Sequence, residues 1–348
     1  MLRTGGGRLA AFTSVPLADT GAYVGQRFGD EWPLAQVAAQ FAGNVDLQAI
    51  PAAEVTPIQA IRRMLRIQGE PGHAAGNYHW MLALEQAAQD RGCRILLTGQ
   101  MGNAGISWTG DVFSQPLAFQ LRRMGWREWS KERVKRALPA SVYAALQRAR
   151  QGRRDWLRHT ALRADVAARL NLMERRMNDA EAQPSRTPLE QRRWLRPGRS
   201  FIGALHAQMG AAHGLDVRDP TGDARVLAFT FSVPDWVFMD PASGLDRWLI
   251  RAAMQGRLPD DVRLNRRRGR QAGDLVPRLR ACAAEVEAAL DEIARGPGGG
   301  YVDVSRLRQA WAMIQAHDTP EAFQLAVTVL TRGVMAGLFV NEFDRSNG

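Results

Sequence analysis

The run CRILLTGQMGN, residues 93–103, decides how the chain is read. Ile95, Leu96 and Leu97 are consecutive apolar residues between Arg94 and Gly99, the signature of a short buried strand that empties into a loop. Gly99 and Gly102 give that loop a tight course on which backbone N–H groups can point at an anion. Working outward, RLAAFTSVP (8–16) and VDLQAIP (45–51) are apolar and bounded by Gly or Pro, so both are predicted strands. Between them, Glu31 to Phe41 has helical apolar spacing, with Trp32-Pro33 at its start and Gly43-Asn44 at its end. A longer helical pattern follows and breaks at Gly69-Glu70-Pro71-Gly72, and Trp80 to Asp90 is helical up to Gly92. This alternation predicts an α/β fold with a doubly wound parallel sheet, whose ligands bind beyond the carboxyl ends of the strands. From Val112 the chain reads as mostly helical, with a helix from Arg225 to Val233 and turns at Gly152, around Pro184, at Arg196-Pro197-Gly198 and at Gly296 to Gly300. The organisation expected is a nucleotide-binding α/β sheet over 1–112, a basic helical insertion over 113–200, and a helical C-terminal part over 201–348.

Composition excludes several classes. With 348 residues, 45% apolar and 7% aromatic, the chain is neither disordered nor collagen-like. Its apolar stretch Phe323 to Val340 is cut by Arg332, and Gly5-Gly6-Gly7-Arg8 interrupts any signal-peptide core, so no membrane span and a cytoplasmic chain are expected. Cys93 and Cys282 sit in apolar surroundings, as buried thiols do. Of the 46 basic residues only Lys131 and Lys135 are lysine.

The net charge of +11 is concentrated: residues 121–160 hold twelve Arg or Lys against Glu128, Glu132 and Asp155. Trp126, Trp129, Val134, Leu138, Val142, Leu146 and Trp156 recur there at helical spacing, so the charges read as the wet face of amphipathic helices in preference to a polyanion site. The sequence has no zinc-finger spacing and no RNA-binding signature, which argues against nucleic acid as partner.

Generic site patterns are missing. His73, His79, His159, His206, His213 and His317 form no i, i+4 pair with a carboxylate at ligand spacing, so no metal site is expected. The chain has no G-x-S-x-G elbow, no G-x-x-x-x-G-K-[ST] loop and no post-strand G-x-G-x-x-G.

Three segments taken in order are more telling. Thr98-Gly99-Gln100-Met101-Gly102-Asn103-Ala104 is followed by Gly214, Asp216, Arg218, Pro220 and Asp223, and then by Arg247, Leu249 to Arg251, Leu258, Pro259, Val262, Arg266 and Arg268. They resemble the elements L-S-G-E-G-x-D-E, G-x-E-x-R-x-P-x-x-D and K-x-x-L-R…L-P-x-x-[IV]…R-x-K of the synthetase domain of the glutamine-dependent asparagine synthetase family, which includes beta-lactam synthetases and lasso-peptide cyclases. Leu9 to Val15 is similar to the family's second strand, Gly29-Asp30-Glu31-Trp32 to its D-E element, and Glu70-Pro71 to its acidic-Pro pair. The resemblance spans nearly the whole chain.

It implies a sheet of the adenine nucleotide alpha-hydrolase-like, ATP pyrophosphatase type. It also implies an ATP-dependent amide ligase: a small-molecule or peptide carboxylate is activated with ATP and Mg²⁺ as an acyl-adenylate, and ammonia or an amine displaces AMP. On the matching positions, Ser14, Thr98 and Gly99 line the adenosine end, Gly102 and Asn103 belong to the nucleotide loop, and Gln100, Arg247 and Arg268 stand at the reacting groups.

The sequence departs from that pattern in four ways. The pyrophosphate loop S-G-G-x-D-S is absent and aligns before Met1, so the chain is expected to be an N-terminally truncated copy that binds ATP weakly; Met1-Leu2-Arg3-Thr4 reads as the tail of the following helix. Gln100, Asn103 and Ala104 replace loop acids, and amides cannot act as a base or charge a Mg²⁺ site. Arg268 replaces a lysine and keeps charge without shuttling protons. The glutamine amidotransferase domain is not in this chain, so ammonia must come from another source. The alternatives are a lasso-peptide or lactam cyclase, a non-catalytic remnant acting as a binding module, and polyanion binding through 121–160. Asp216, Arg218 and Asp223 have a plainer reading as a helix cap and a buried ion pair.

Overall fold

The computed structural model describes residues 6–72, 74–153, 159–172, 174–175, 185, 187–192 and 202–347. The expected turns at Pro184 and Arg196-Pro197-Gly198, the Met1 to Gly5 segment, His73 and Trp156 lie outside the described residues.

Strand β1 (Leu9–Ser14), helix α1 (Trp32–Ala42) and β2 (Val45–Ile50) form the predicted strand-helix-strand unit, with β1 and β2 parallel in the register Leu9 to Val45 through Ser14 to Ile50. Pro33 sits in the first turn of α1, where an N–H has no helical partner, and Gly43 ends it in the left-handed region at φ 77°.

Helix α2 (Pro57–Gln68) starts where its sequence dictates. The Thr56 hydroxyl accepts from the Gln59 backbone N–H and the Gln59 side chain accepts from the Thr56 N–H, a reciprocal cap with Pro57 directly behind it. Ile58, Ile61, Met64 and Leu65 fall on one face and are buried. Helix α3 (Tyr78–Asp90) leads into β3 (Ile95–Leu97), a strand as the 93–103 run predicts but not a buried one, since Ile95 is 54% and Leu97 60% exposed.

The single doubly wound sheet does not appear among the described residues. They form two separate two-stranded parallel sheets, β1–β2 and β3–β4, with β4 at Asp216–Arg218. No described strand bonds to the outer edge of β1 or of β3. What joins the halves is a helical layer: α3 packs on β1 and β2, and α6 (Ile202–Ala212) packs on β4, α2 and α3.

Beyond Val112 the expected helices form, with corrections. Helix α4 (Leu117–Ala137) is broken at Gly125, whose φ of 73° and ψ of 155° are not helical. Helix α5 (Ala140–Arg153) runs through Gly152, where a turn was expected. Helix α7 (Ala224–Ser232) matches the predicted 225–233 helix, and α8 (Trp248–Ala253) precedes a short turn at Asp260–Arg263.

Helices α9 (Leu275–Ala281), α10 (Ala283–Arg295), α11 (Val304–Ala316), α12 (Pro320–Leu325) and α13 (Thr331–Asn347) complete the main core with α2 and α3, including buried Leu279, Leu290, Ile293 and Ile314. The stretch Pro320–Asp344 is long and apolar enough to cross a membrane by composition, so Arg332 does not disqualify it as expected. Its apolarity is accounted for by the protein itself: Val334, Met335 and Leu338 are buried in the core while Arg332 is exposed.

The two thiols differ. Cys282 is buried and Cys93 is half-buried, and both are free.

Candidate functional site

Two cavities share one strip of chain. Residues Asn265 to Arg268 line the first and Arg270 to Asp274 the second, and Gly269 between them bridges to Phe28 in parallel. The Arg270 N–H donates to the Phe28 carbonyl at 2.8 Å, and the Phe28 N–H to that of Arg268 at 3.3 Å. Gly269 lets the Glu31 carboxyl close over the strip, since a Cβ there would lie 2.1 Å from its oxygen and the side chain would have to swing away.

The first cavity, about 240 Å³, is walled by Arg247, Arg251, Arg263, Arg266, Arg267 and Arg268, with Ser107, Asp246 and the apolar Ile250, Met254, Leu258 and Val262. Most of these guanidinium groups are committed. Arg251 donates to the carbonyls of Asp246, at 2.8 Å, of Asn265, at 2.9 Å, and of Arg263, and Arg263 pairs with Asp260. Arg266 donates to the Ser243 carbonyl at 2.7 Å, Arg267 lies over the Phe28 ring, and Arg268 contacts Asp246 at 3.2 Å.

Arg247 is different. Its guanidinium makes no hydrogen bond or ion pair among the described residues, and burial together with nearby Arg268 pulls its pKa below the ordinary arginine value, against the opposing pull of Asp246. Its backbone is left-handed, φ 57° and ψ 31°, at the start of α8, a conformation that costs an L-residue with a Cβ about 1–2 kcal/mol. A half-buried cation with no carboxylate partner, facing a cavity, has the chemistry to meet an anion.

The second cavity, about 250 Å³, opens at the carboxyl end of β1 and is lined by Phe12 to Pro16, Glu31, His79, Trp80 and Leu84 together with the strip. It contains Ser14. Its lower wall rests on a buried ion pair: Asp274 accepts from Arg278 at 2.8 Å and from the Leu17 N–H at 2.7 Å, while Arg278 also donates to the carbonyls of Ala52 and Pro51. His79 is buried with an unpartnered Nδ1, and burial, reinforced by Arg278, pushes its pKa down to about 3, so the ring is neutral. Burial and neighbouring Asp30 raise the Glu31 carboxyl above its usual range.

The Gly99 loop reaches the first cavity only through Ser107, whose N–H donates to the Gly102 carbonyl at 2.7 Å. Gly102 is buried, and a Cβ there would meet Thr221 and Ser107. Three loop amides are already occupied: the Met101 N–H donates to Asp219 at 2.7 Å, the Gly102 N–H to the Gly99 carbonyl and the Ala104 N–H to the Met101 carbonyl. Gly99, Gln100 and Asn103 are exposed and line neither cavity, and Thr98 keeps a buried hydroxyl with no partner.

Of the residues singled out in the sequence, then, Arg247 and Arg268 share the arginine cavity, Ser14 lies in its neighbour, and the loop residues stand apart from both. Asp223 caps α7 through the Arg225 N–H, as the plainer reading holds, but the Asp216–Arg218 pair is exposed instead of buried. Sequence reasoning missed Ser107, Asp246, Asp219 and His79; only spatial adjacency identifies them. Among the described residues no three of His, Cys, Asp and Glu converge as a metal site.

A family model described as asparagine synthase matches residues 8–338. No curated protein matches the chain.

Proposed function

Because the chain belongs to the asparagine synthase family, we propose that it is an ATP-dependent amide ligase with the doubly wound, ATP-pyrophosphatase type of sheet, in which the arginine cavity receives the anionic end of the reaction. The carboxylate oxygen of the substrate attacks the α-phosphorus of ATP and pyrophosphate leaves; an amine or ammonia then attacks the acyl carbon, AMP leaves with the electron pair of the broken bond, and the nitrogen loses a proton. Fixed cations lower the cost of the charge that develops in both steps. The observation that carries this reading is Arg247, unpaired and left-handed beside Arg268. Ser14 in the adjoining cavity suits the adenosine end, and the shared strip from Asn265 to Asp274 holds the two ends at a fixed separation. The amine nitrogen is supplied by a glutamine amidotransferase or by free ammonia or a substrate amine.

A second reading, a cyclase acting on a peptide or lactam precursor, is favoured by one observation: Gln100 and Asn103 place amides on an exposed loop where the resemblance calls for acids. Both readings predict carboxylate-dependent release of pyrophosphate from ATP, trapping of the acyl group by hydroxylamine, and transfer of a carboxylate ¹⁸O atom to AMP. Release of orthophosphate, or nucleotide turnover indifferent to every carboxylate offered, would sink both and leave the chain a binding module.

A further inference from the structure

The arginine cavity has two kinds of wall. Arg247, Ile250, Arg251 and Met254 fall at i, i+3, i+4 and i+7 along α8, so cations and hydrocarbon share one helix face. Leu258 and Val262, four positions apart, carry the apolar side onward. These four apolar side chains are half-buried and line about 240 Å³ of open space.

The acceptors of the cavity are already used. Asp246 is the single carboxylate among the described residues that line it, and one of its oxygens meets Arg268 at 3.2 Å while the other faces Arg251 at 3.7 Å. The Asn265 side-chain oxygen accepts from the Arg267 N–H at 2.9 Å, and the Arg263 and Asn265 carbonyls accept from Arg251. An ammonium entering here would lie among guanidinium groups with no uncommitted carboxylate to meet it, a placement that like charge opposes.

We infer that the acid this cavity takes is a small monocarboxylate on a hydrocarbon body, with no ammonium beside the carboxylate, so that a free amino acid such as aspartate is refused. The carboxylate meets Arg247, and the chain lies along Ile250, Met254, Leu258 and Val262. An occupant made of phosphate alone would set polar oxygens against those four side chains and gain nothing from them. That the acid is also a substrate rests on the ligase reading; that it binds here does not.

The test is binding without nucleotide, read by NMR on the full chain labelled with ¹³C at its methionine methyls, the Met254 resonance being assigned by its loss in Met254→Leu. Acetate, butanoate and hexanoate are expected to move that resonance with an affinity that rises about fourfold for each methylene buried. Norleucine, which is hexanoate with an ammonium on the α-carbon, is expected to bind at least about tenfold more weakly, and aspartate to leave the resonance where it is. Val262→Thr, which keeps the shape of the wall and adds a hydroxyl, is expected to weaken hexanoate about threefold and to leave acetate unaffected. Norleucine equal to hexanoate, an affinity indifferent to chain length, or a Met254 resonance that answers adenosine in place of the acids overturns the proposal. Pyrophosphate release separates it from the ligase reading. Hexanoate that binds as described but releases none from ATP removes the ligase and keeps the site, whereas release driven by aspartate and not by hexanoate keeps the ligase and overturns the hydrocarbon acid.

Discussion

The arginine cavity and the cavity at the mouth of β1 have nearly equal volumes, about 240 and 250 Å³, share a wall, and are opposite in chemistry. One gathers six guanidinium groups; the other presents the Glu31 carboxyl, a neutral imidazole and the single guanidinium of Arg270, which is spent on the Tyr23 carbonyl, above the Asp274–Arg278 pair. Each holds one non-glycine residue in the left-handed region, Arg247 at φ 57° and Ala272 at φ 49°. Strain and unpaired cation coincide in the first cavity, whereas in the second the ion pair is a support for the backbone. A charge that is already satisfied builds the wall, and a charge left open is free to meet a ligand.

Substitutions separate these roles, and the largest effect belongs to the wall. Arg278→Met strands the Asp274 carboxylate in the interior and orphans the Pro51 and Ala52 carbonyls, so it is expected to cost about 3–5 kcal/mol in urea unfolding with the m-value unchanged. A loss under about 1 kcal/mol would erase the distinction between wall and receptor. On the receptor side, Arg247→Ala is expected to weaken pyrophosphate binding by about 1.5–3 kcal/mol, roughly 10- to 150-fold by calorimetry, without lowering stability. Undiminished binding would move the anion site elsewhere.

Acid sharpens the contrast at the neutral end. The His79 pKa falls from 6.5 to about 3 on folding, so below pH 6.5 the unfolded chain takes up a proton that the folded chain refuses, and stability drops as pH falls through that window. At pH 5 the difference is about 2 kcal/mol, and His79→Phe is expected to remove that part of the pH slope in thermal or urea melts. An unchanged slope would show a ring that does take up its proton. The smallest effect isolates strain: Arg247→Gly and Arg247→Ala lose the same side chain, but glycine relieves the left-handed backbone, so the glycine variant is expected to be more stable by about 1 kcal/mol.

Much of this architecture is legible in the sequence where local chemistry decides. β1 and β2 are apolar runs closed by Gly or Pro, α2 carries its own cap, and Ile95 to Leu97 read as a strand because nothing else suits three aliphatic residues before a glycine loop. β4 was not legible: Asp-Val-Arg is too short to alternate, and both its polar residues are exposed. Gly152 misled because a glycine inside a helix has only a modest cost. At the site, Arg247 and Arg268 came from motif resemblance, whereas Ser107 enters through a loop whose cavity neighbours lie over a hundred positions away, and Asp246 meets Arg268 across 22 positions, relations without any period. Asp219 escaped because its task, holding the Met101 amide, is defined only once β3 and β4 pair.

The open outer edge of β1 has a consequence in time. In a parallel ladder alternate residues direct their N–H groups to the same neighbour, and here Leu9 and Val15 donate to Asn44 and Ile50 on the β2 side. Ala10, Phe12 and Ser14 therefore aim theirs at an edge to which no described strand bonds. Within one six-residue strand, every second amide is set to trade its hydrogen with solvent quickly while its neighbours wait for the ladder to open. Ser14 is among the fast ones, so the strand that lines a cavity also keeps a clock that any occupant of that edge would slow.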